Sequence, residues 1–223
     1  MPEQPPEHHD TEEYRLTDRR VAELLDRAAA DLRRQFNGIF TTETIRAVVA
    51  ESYTQLNATA RIHTHLVALA IRFARERLDA MAKNRGAFAP AIPEVLFVCV
   101  RNAGRSQMAA ALLHHHARGR VLVRSAGSAP AETVNAIVVE VVNELGVDLS
   151  GEFPKPLTDE AVEAADVVIT MGCARPVFRG KSYRNWELDD PTGKTVDEVR
   201  EIRDEIDRRV RRLLAELVPE TPR

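Results

Sequence analysis

A cysteine, two arginines and a serine stand together in Cys99-Val100-Arg101-Asn102-Ala103-Gly104-Arg105-Ser106, between a short apolar run and a helical pattern. A loop that joins a strand to a helix turns successive backbone N–H groups inward. At the positive end of the helix dipole these make a concave anion site. The expected donors are the residues Val100, Arg101, Asn102, Ala103, Gly104 and Arg105. Cys99 lies at the rim, where that field and the Arg105 charge favour thiolate over thiol and make the sulfur a nucleophile. Arg105 can fold back across the loop and hold two oxygens of a tetrahedral oxyanion in one planar fork, which Lys could not do. The Ser106 hydroxyl can donate to the Cys99 sulfur, and Asn102 and Gly104 permit the dihedrals that such a turn needs. The chemistry that fits is attack by sulfur on a bound oxyanion.

Two further groups stand where they could join it. Cys173, in Val168-Ile169-Thr170-Met171-Gly172-Cys173, follows another apolar run and emerges at the same sheet edge as Cys99. Taken alone it could equally be a small buried hydrophobe. Asp190 precedes Pro191 in a loop returning towards the same edge, and Asp189-Asp190-Pro191 could also be a plain turn. The histidines make no comparable set. His114, His115 and His116 are consecutive on a helix, about 100° apart, and His63 and His65 diverge likewise. No zinc-ligand spacing is present, and no metal is expected.

These residues require elements to hold them. Val95-Leu96-Phe97-Val98-Cys99-Val100 is a continuous apolar run, the pattern of a strand buried on both faces. A helix is predicted from Ser106 to about Ala117, a strand over Val121–Arg124, and a helix over about Thr133–Leu145 closed by Gly146. Further strands are predicted over Asp166–Met171 and Lys181–Trp186, and a last helix over Val196–Leu217. This alternation gives an α/β fold, a four-stranded parallel sheet flanked by helices, whose ligands sit beyond the carboxyl ends of the strands. Before it, residues 16–86 carry three amphipathic patterns and no strand. Leu16 to Leu32 forms the first, Ile45 to Leu56 the second with Thr41 or Thr42 as N-cap, and Thr59 to Lys83 the third. The expected organisation is a flexible tail over 1–15, an all-α three-helix bundle over 16–86, a Pro-containing linker over 87–93 and the α/β domain over 94–218.

Composition narrows the classes. The chain has 223 residues, 31 basic and 34 acidic, for a formal charge of −3. The first 90 residues balance at 13 of each sign, so no basic face recommends nucleic acid as a partner. No apolar run reaches the roughly 18 residues of a membrane span, and Met1 to Asp10 lacks a basic-then-apolar leader. The expected location is the cytoplasm. With only two cysteines, a disulfide scaffold is excluded and each thiol needs a local explanation.

The motif Cys-x5-Arg-Ser after a first strand, with Ser125-Ala126-Gly127 ending the second, resembles the low-molecular-weight protein tyrosine phosphatase superfamily. The resemblance covers about residues 94–217. It implies one of two chemistries on one loop, phosphomonoester hydrolysis or arsenate reduction. Gln107-Met108-Ala109, the stretch ending in Cys173, and Trp186-Glu187-Leu188-Asp189-Asp190-Pro191 resemble the arsenate reductases. The resemblance implies arsenate as substrate with phosphate as its analogue, Cys99 as nucleophile, Asp190 as general acid, and Cys173 or an external thiol as resolving group. It implies no bound cofactor, and thioredoxin or a mycothiol/mycoredoxin system as external reductant. A third cysteine found in many thioredoxin-linked members is missing after Cys173, and Ala110 replaces an acidic residue that some members use for potassium. Phe36-Asn37-Gly38-Ile39-Phe40 and Arg72-Phe73-Ala74-Arg75-Glu76-Arg77-Leu78 resemble a three-helix-bundle domain fused to arsenate reductases in actinobacteria. A phosphatase, or an oxyanion-binding regulator without turnover, are the alternatives.

Overall fold

The computed structural model describes residues 9–61, 64–87, 92–173 and 181–219, with side chains from residue 18 onward. The chain divides into two compact units, Met1–Ala58 with Ile62–Leu78, and Thr59–Arg61 with Asp79–Arg223. The first unit contains α1 (His9–Gln35), α2 (Thr42–Asn57) and most of α3 (Leu66–Asn84). Leu32, Phe36, Ile45, Val49, Phe73 and Leu78 are its buried centre. Thr41 caps α2 by accepting from the Thr44 N–H at 3.2 Å, and Gly38, at φ 79°, turns the chain between α1 and α2. Buried Arg77 is held by Ser52 Oγ at 3.3 Å and Glu51 at 2.9 Å.

Helix α1 begins at His9, inside the segment read from sequence as a tail, where Glu and Arg content is compatible with helix. Residues 1–8 of that tail and 88–91 of the expected linker lie outside the described residues. Helix α3 starts at Leu66 and not at Thr59.

The second unit is built on four parallel strands, β1 (Glu94–Cys99), β2 (Leu122–Gly127), β3 (Val167–Met171) and β4 (Ser182–Asn185), in the order β2-β1-β3-β4. All six residues of β1 are buried, as its unbroken apolar run requires. Val95, Phe97 and Cys99 face one way, into a core shared with α4 (Arg105–Ala117), α5 (Ala136–Asn143) and α7 (Val196–Leu217). Leu96 and Val98 face the other way, against Val162 of α6 (Asp159–Ala164) and Val168 of β3. After β1 the chain moves to β2 on one side and later to β3 on the other. The crevice between β1 and β3 is therefore the switch point at which such sheets bind ligands. Cys99 stands at its mouth, paired with Gly127 on one side and Met171 on the other.

Two elements differ from the sequence reading. The helix expected from Thr133 starts only at Ala136, because Asn135 caps it, its Oδ1 accepting from the Ile137 and Val138 N–H groups at 2.9 and 3.4 Å. Helix α6 was not anticipated, since its six residues are too few to display a helical period.

Candidate active site

The loop leaving β1 has every carbonyl engaged. Those of Cys99, Val100, Arg101 and Ala103 accept from the N–H groups of Ser128, Ala129, Ala131 and Asn135 at 2.8 to 3.2 Å. The Asn102 carbonyl accepts from Gln107 Nε2 at 3.2 Å, and that of Gly104 from Met108 N at 2.9 Å. With the carbonyls tied outward, the loop amides converge on its concave side. There they join the first-turn amides of α4, which have no intrahelical acceptor. The segment 128–135 is the brace, which is why it is not helical.

Gly127 makes the fit possible. A Cβ at Gly127 would stand 2.8 Å from the Val100 carbonyl oxygen and 2.9 Å from the Asn102 nitrogen. Asn102 adopts φ 47°, a left-handed conformation that Asn tolerates better than most residues, and is fully buried. Its Oδ1 accepts from the Lys155 N–H at 2.8 Å, which fixes the amide so that Nδ2 donates to Ser106 Oγ at 2.8 Å. The Ser106 oxygen thus already accepts a proton and lies 2.9 Å from the Cys99 sulfur, to which its own hydrogen can be donated when the sulfur is ionised. The Asn102 N–H also points at that sulfur, at 3.2 Å, so this amide serves the nucleophile and not an oxyanion. Cys99 is buried except for 2% of its surface.

Arg105 folds back across the loop as its spacing suggested, but its fork is occupied by the protein. Nη2 donates to Asp190 Oδ2 at 2.5 Å and Nη1 to the Leu188 carbonyl at 3.1 Å. Gly172 lies against the guanidinium, since a Cβ there would meet Nη1 at 3.3 Å. Asp190 Oδ1 accepts from the Thr192 N–H at 2.9 Å. Burial alone would raise the Asp190 pKa, but the Thr192 hydrogen bonds and the Arg105 and Arg101 charges outweigh it and hold the carboxyl below its usual range. The acid loop is pinned by Lys194 on Asp189 at 3.1 Å, and by Pro191, whose ring packs so closely on Gly104 that a Cβ would stand 2.6 Å from it. Trp186, its ring tilted against Phe97 with centroids 5.6 Å apart, roots the loop in the core.

A cavity of about 500 Å³ opens over this arrangement, lined among others by Cys99, Arg101, Ala103, Gly104, Arg105 and Asp190. Val100, Asn102 and Ser106 do not line it. Among the described residues no aromatic side chain lines it.

Cys173 stands apart. Strict alternation along β3 would turn it to the Cys99 side with Met171. Instead Gly172 adopts φ 71°, and Cys173 packs on the Leu96, Val98 and Val168 cluster of the opposite sheet face. The two cysteines are not joined in a disulfide. Residues 174–180, which include the shortened segment after Cys173, lie outside the described residues.

Sequence reading did not identify Gln107, Gly127, Gly172, Leu188 or Thr192 as builders of the site. Gln107, Gly127, Gly172 and Leu188 fell within quoted motifs without a role. Apart from Gln107, these residues act through backbone atoms or close approach, which leave no side-chain signal.

Residues 94–223 match the low molecular weight phosphotyrosine protein phosphatase family, and residues 25–82 match the protein-tyrosine-phosphatase-like N-terminal domain. A putative arsenate reductase of Halobacterium salinarum is 41% identical over 131 residues, covering 56% of this chain and 92% of the relative. A glutaredoxin arsenate reductase of Synechocystis is 30% identical over 129 residues, covering 56% and 98%. The solved thioredoxin-dependent arsenate reductase of Corynebacterium glutamicum is 47% identical with a TM-score of 0.79, covering 87% of this chain and 96% of that one. Among the described residues no helix is long and apolar enough to cross a membrane.

Proposed function

The chain belongs to the low molecular weight phosphotyrosine protein phosphatase family, and from that premise we propose that it reduces arsenate to arsenite with electrons drawn from thioredoxin. The observation that carries this reading is the second thiol. Cys99 pairs in register with Met171, and Cys173 follows just two positions later.

Arsenate enters the amide cup, where Arg105 and the loop N–H groups hold its oxygens. The Cys99 sulfur attacks arsenic, forming an S–As bond, while Asp190 protonates the departing oxygen, which leaves as water. The Ser106 hydroxyl and the Asn102 N–H stabilise the sulfur before attack. Cys173 then attacks the Cys99 sulfur. An S–S bond forms, the S–As bond breaks, and its electron pair stays on arsenic, which leaves as arsenite. The two electrons come from the two thiols, and the dithiol of thioredoxin restores them by exchange. A disulfide needs Cα atoms within about 7 Å. Because Cys173 packs on the opposite sheet face, its sulfur must be brought round to Cys99 for this step. The missing third cysteine means that thioredoxin acts directly on the Cys99–Cys173 bond. The charged cavity rim, to which no aromatic side chain contributes among the described residues, favours an inorganic oxyanion over phosphotyrosine.

The test is arsenate turnover with thioredoxin and thioredoxin reductase, with a mycothiol/mycoredoxin system in parallel, and with p-nitrophenyl phosphate, for wild type, Cys99→Ser and Cys173→Ser. The reading expects Cys99→Ser to lose both activities and Cys173→Ser to lose thioredoxin-linked reduction alone. Arsenate turnover indifferent to Cys173 would overturn the internal resolving step. Restoration of Cys173→Ser by mycothiol alone would assign resolution to the external thiol. Turnover of p-nitrophenyl phosphate without arsenate reduction would make the chain a phosphatase, and neither activity would leave a binding protein.

A further inference from the structure

We propose that Asp190 is also an internal competitor for the anion site: its carboxylate holds the Arg105 fork until a tetrahedral dianion takes it, and regains the fork when the product carries no charge. The competition itself follows from geometry alone, whereas its use in product release rests on the reductase reading.

Arg105 is only 11% exposed, wedged between Gly172 and the acid loop, and two of its guanidinium nitrogens already donate to Asp190 Oδ2 and the Leu188 carbonyl. To accept from Nη2 in the direction that Asp190 now occupies, an oxyanion must displace that carboxylate oxygen. Asp190 can yield without unfolding anything, because its side chain is half exposed and its loop remains pinned by Trp186, by Pro191 on Gly104 and by Lys194 on Asp189. Once displaced, it stays beside the oxygen that it is to protonate.

The exchange discriminates by charge. A carboxylate is a monoanion that offers Arg105 one oxygen here. Arsenate or phosphate brings two negative charges and further oxygens for the loop amides, and so prevails. Arsenous acid is uncharged at neutral pH and cannot hold a guanidinium against a carboxylate. Arg105 and Asp190 therefore close behind the reduced product and exclude it from the cup. In a phosphatase the product is itself a dianion, and the same pair would retard its release.

Phosphate is the probe, since it binds without turnover. Its affinity is measured by titration calorimetry and by protection of Cys99 from iodoacetamide, in wild type, Asp190→Asn and Asp190→Ala, with arsenite as a parallel ligand. Removing the competitor should tighten phosphate about two- to fivefold in both variants, the range of a partly exposed ion pair. Arsenite should protect Cys99 better in both variants than in wild type. Phosphate binding unchanged or weakened in Asp190→Ala overturns the competition. Tighter phosphate with unchanged arsenite protection overturns the release role alone. None of these readouts depends on Cys173 or on arsenate turnover, so failure of the reductase reading would be seen separately.

Discussion

The Asn102 side-chain Nδ2 lies 2.8 Å from the Ser106 hydroxyl oxygen and donates to it, which leaves the Ser106 proton available to an ionised Cys99 sulfur 2.9 Å away. The two residues act in series on the nucleophile. Ser106→Ala should lower kcat for arsenate by about tenfold or more, each tenfold being roughly 1.4 kcal/mol of barrier. Phosphate affinity should change little, because the Ser106 hydroxyl does not line the cavity. Steady-state kinetics beside phosphate titration separates the two effects, and an unchanged kcat would remove Ser106 from the chemistry.

Asn102→Ala should damage fold and chemistry together. It forces a residue without a polar side chain to hold φ 47°, and strips the buried Lys155 N–H of its acceptor. An orphaned buried donor costs about 1–3 kcal/mol. Urea unfolding should show a loss in that range or above, with Cys99 alkylation slowed in the fraction that remains folded. A variant as stable as wild type would mean that the loop rebuilds itself without this hub.

Gly104→Ala and Gly127→Ala should fail differently. At Gly104 the added Cβ meets the Pro191 ring, so the acid loop must move while the sheet is untouched. We expect a kcat loss with little change in Tm. At Gly127 it meets backbone atoms of Val100 and Asn102, which cannot give way without distorting the cup. There Tm and phosphate binding should fall together. Equal thermal shifts in the two variants would contradict this division.

Away from the site, Glu144 receives hydrogen bonds from Arg200 and Arg203, the largest causes of a pKa lowered to about 2. A carboxylate whose folded pKa lies below its unfolded value stabilises the protein fully above about pH 4.5, and loses that contribution as pH falls towards 2. Thermal unfolding from pH 6 to 2 should therefore show a shallower acid decline in Glu144→Gln than in wild type, together with a lower Tm at pH 6. Parallel curves would show that Arg200 and Arg203 find other partners.

The cup itself was legible because it is local. Strand, loop and helix follow one another over Val95 to Ala117, so residue type and spacing together describe a nest with a cysteine at its rim. The sheet was legible for a similar reason, since β1 and β3 are continuous apolar runs. What lay hidden depends on contacts far apart in the chain. Arg105 and Asp190 are 85 positions apart, and no spacing rule indicates that one would occupy the other. Only the end of the brace, from Thr133, was taken for the start of a helix, because it adjoins a periodic apolar pattern, whereas the Asn135 N–H is needed by the Ala103 carbonyl. The sequence placed Cys173 at the same sheet edge as Cys99 but carried no sign of the face on which it packs, which Gly172 decides by its positive φ.

That single left-handed glycine leaves a β-sheet standing as an insulating wall between the chain's two reducing equivalents. The pair meets only after a local rearrangement that carries Cys173 around the sheet edge.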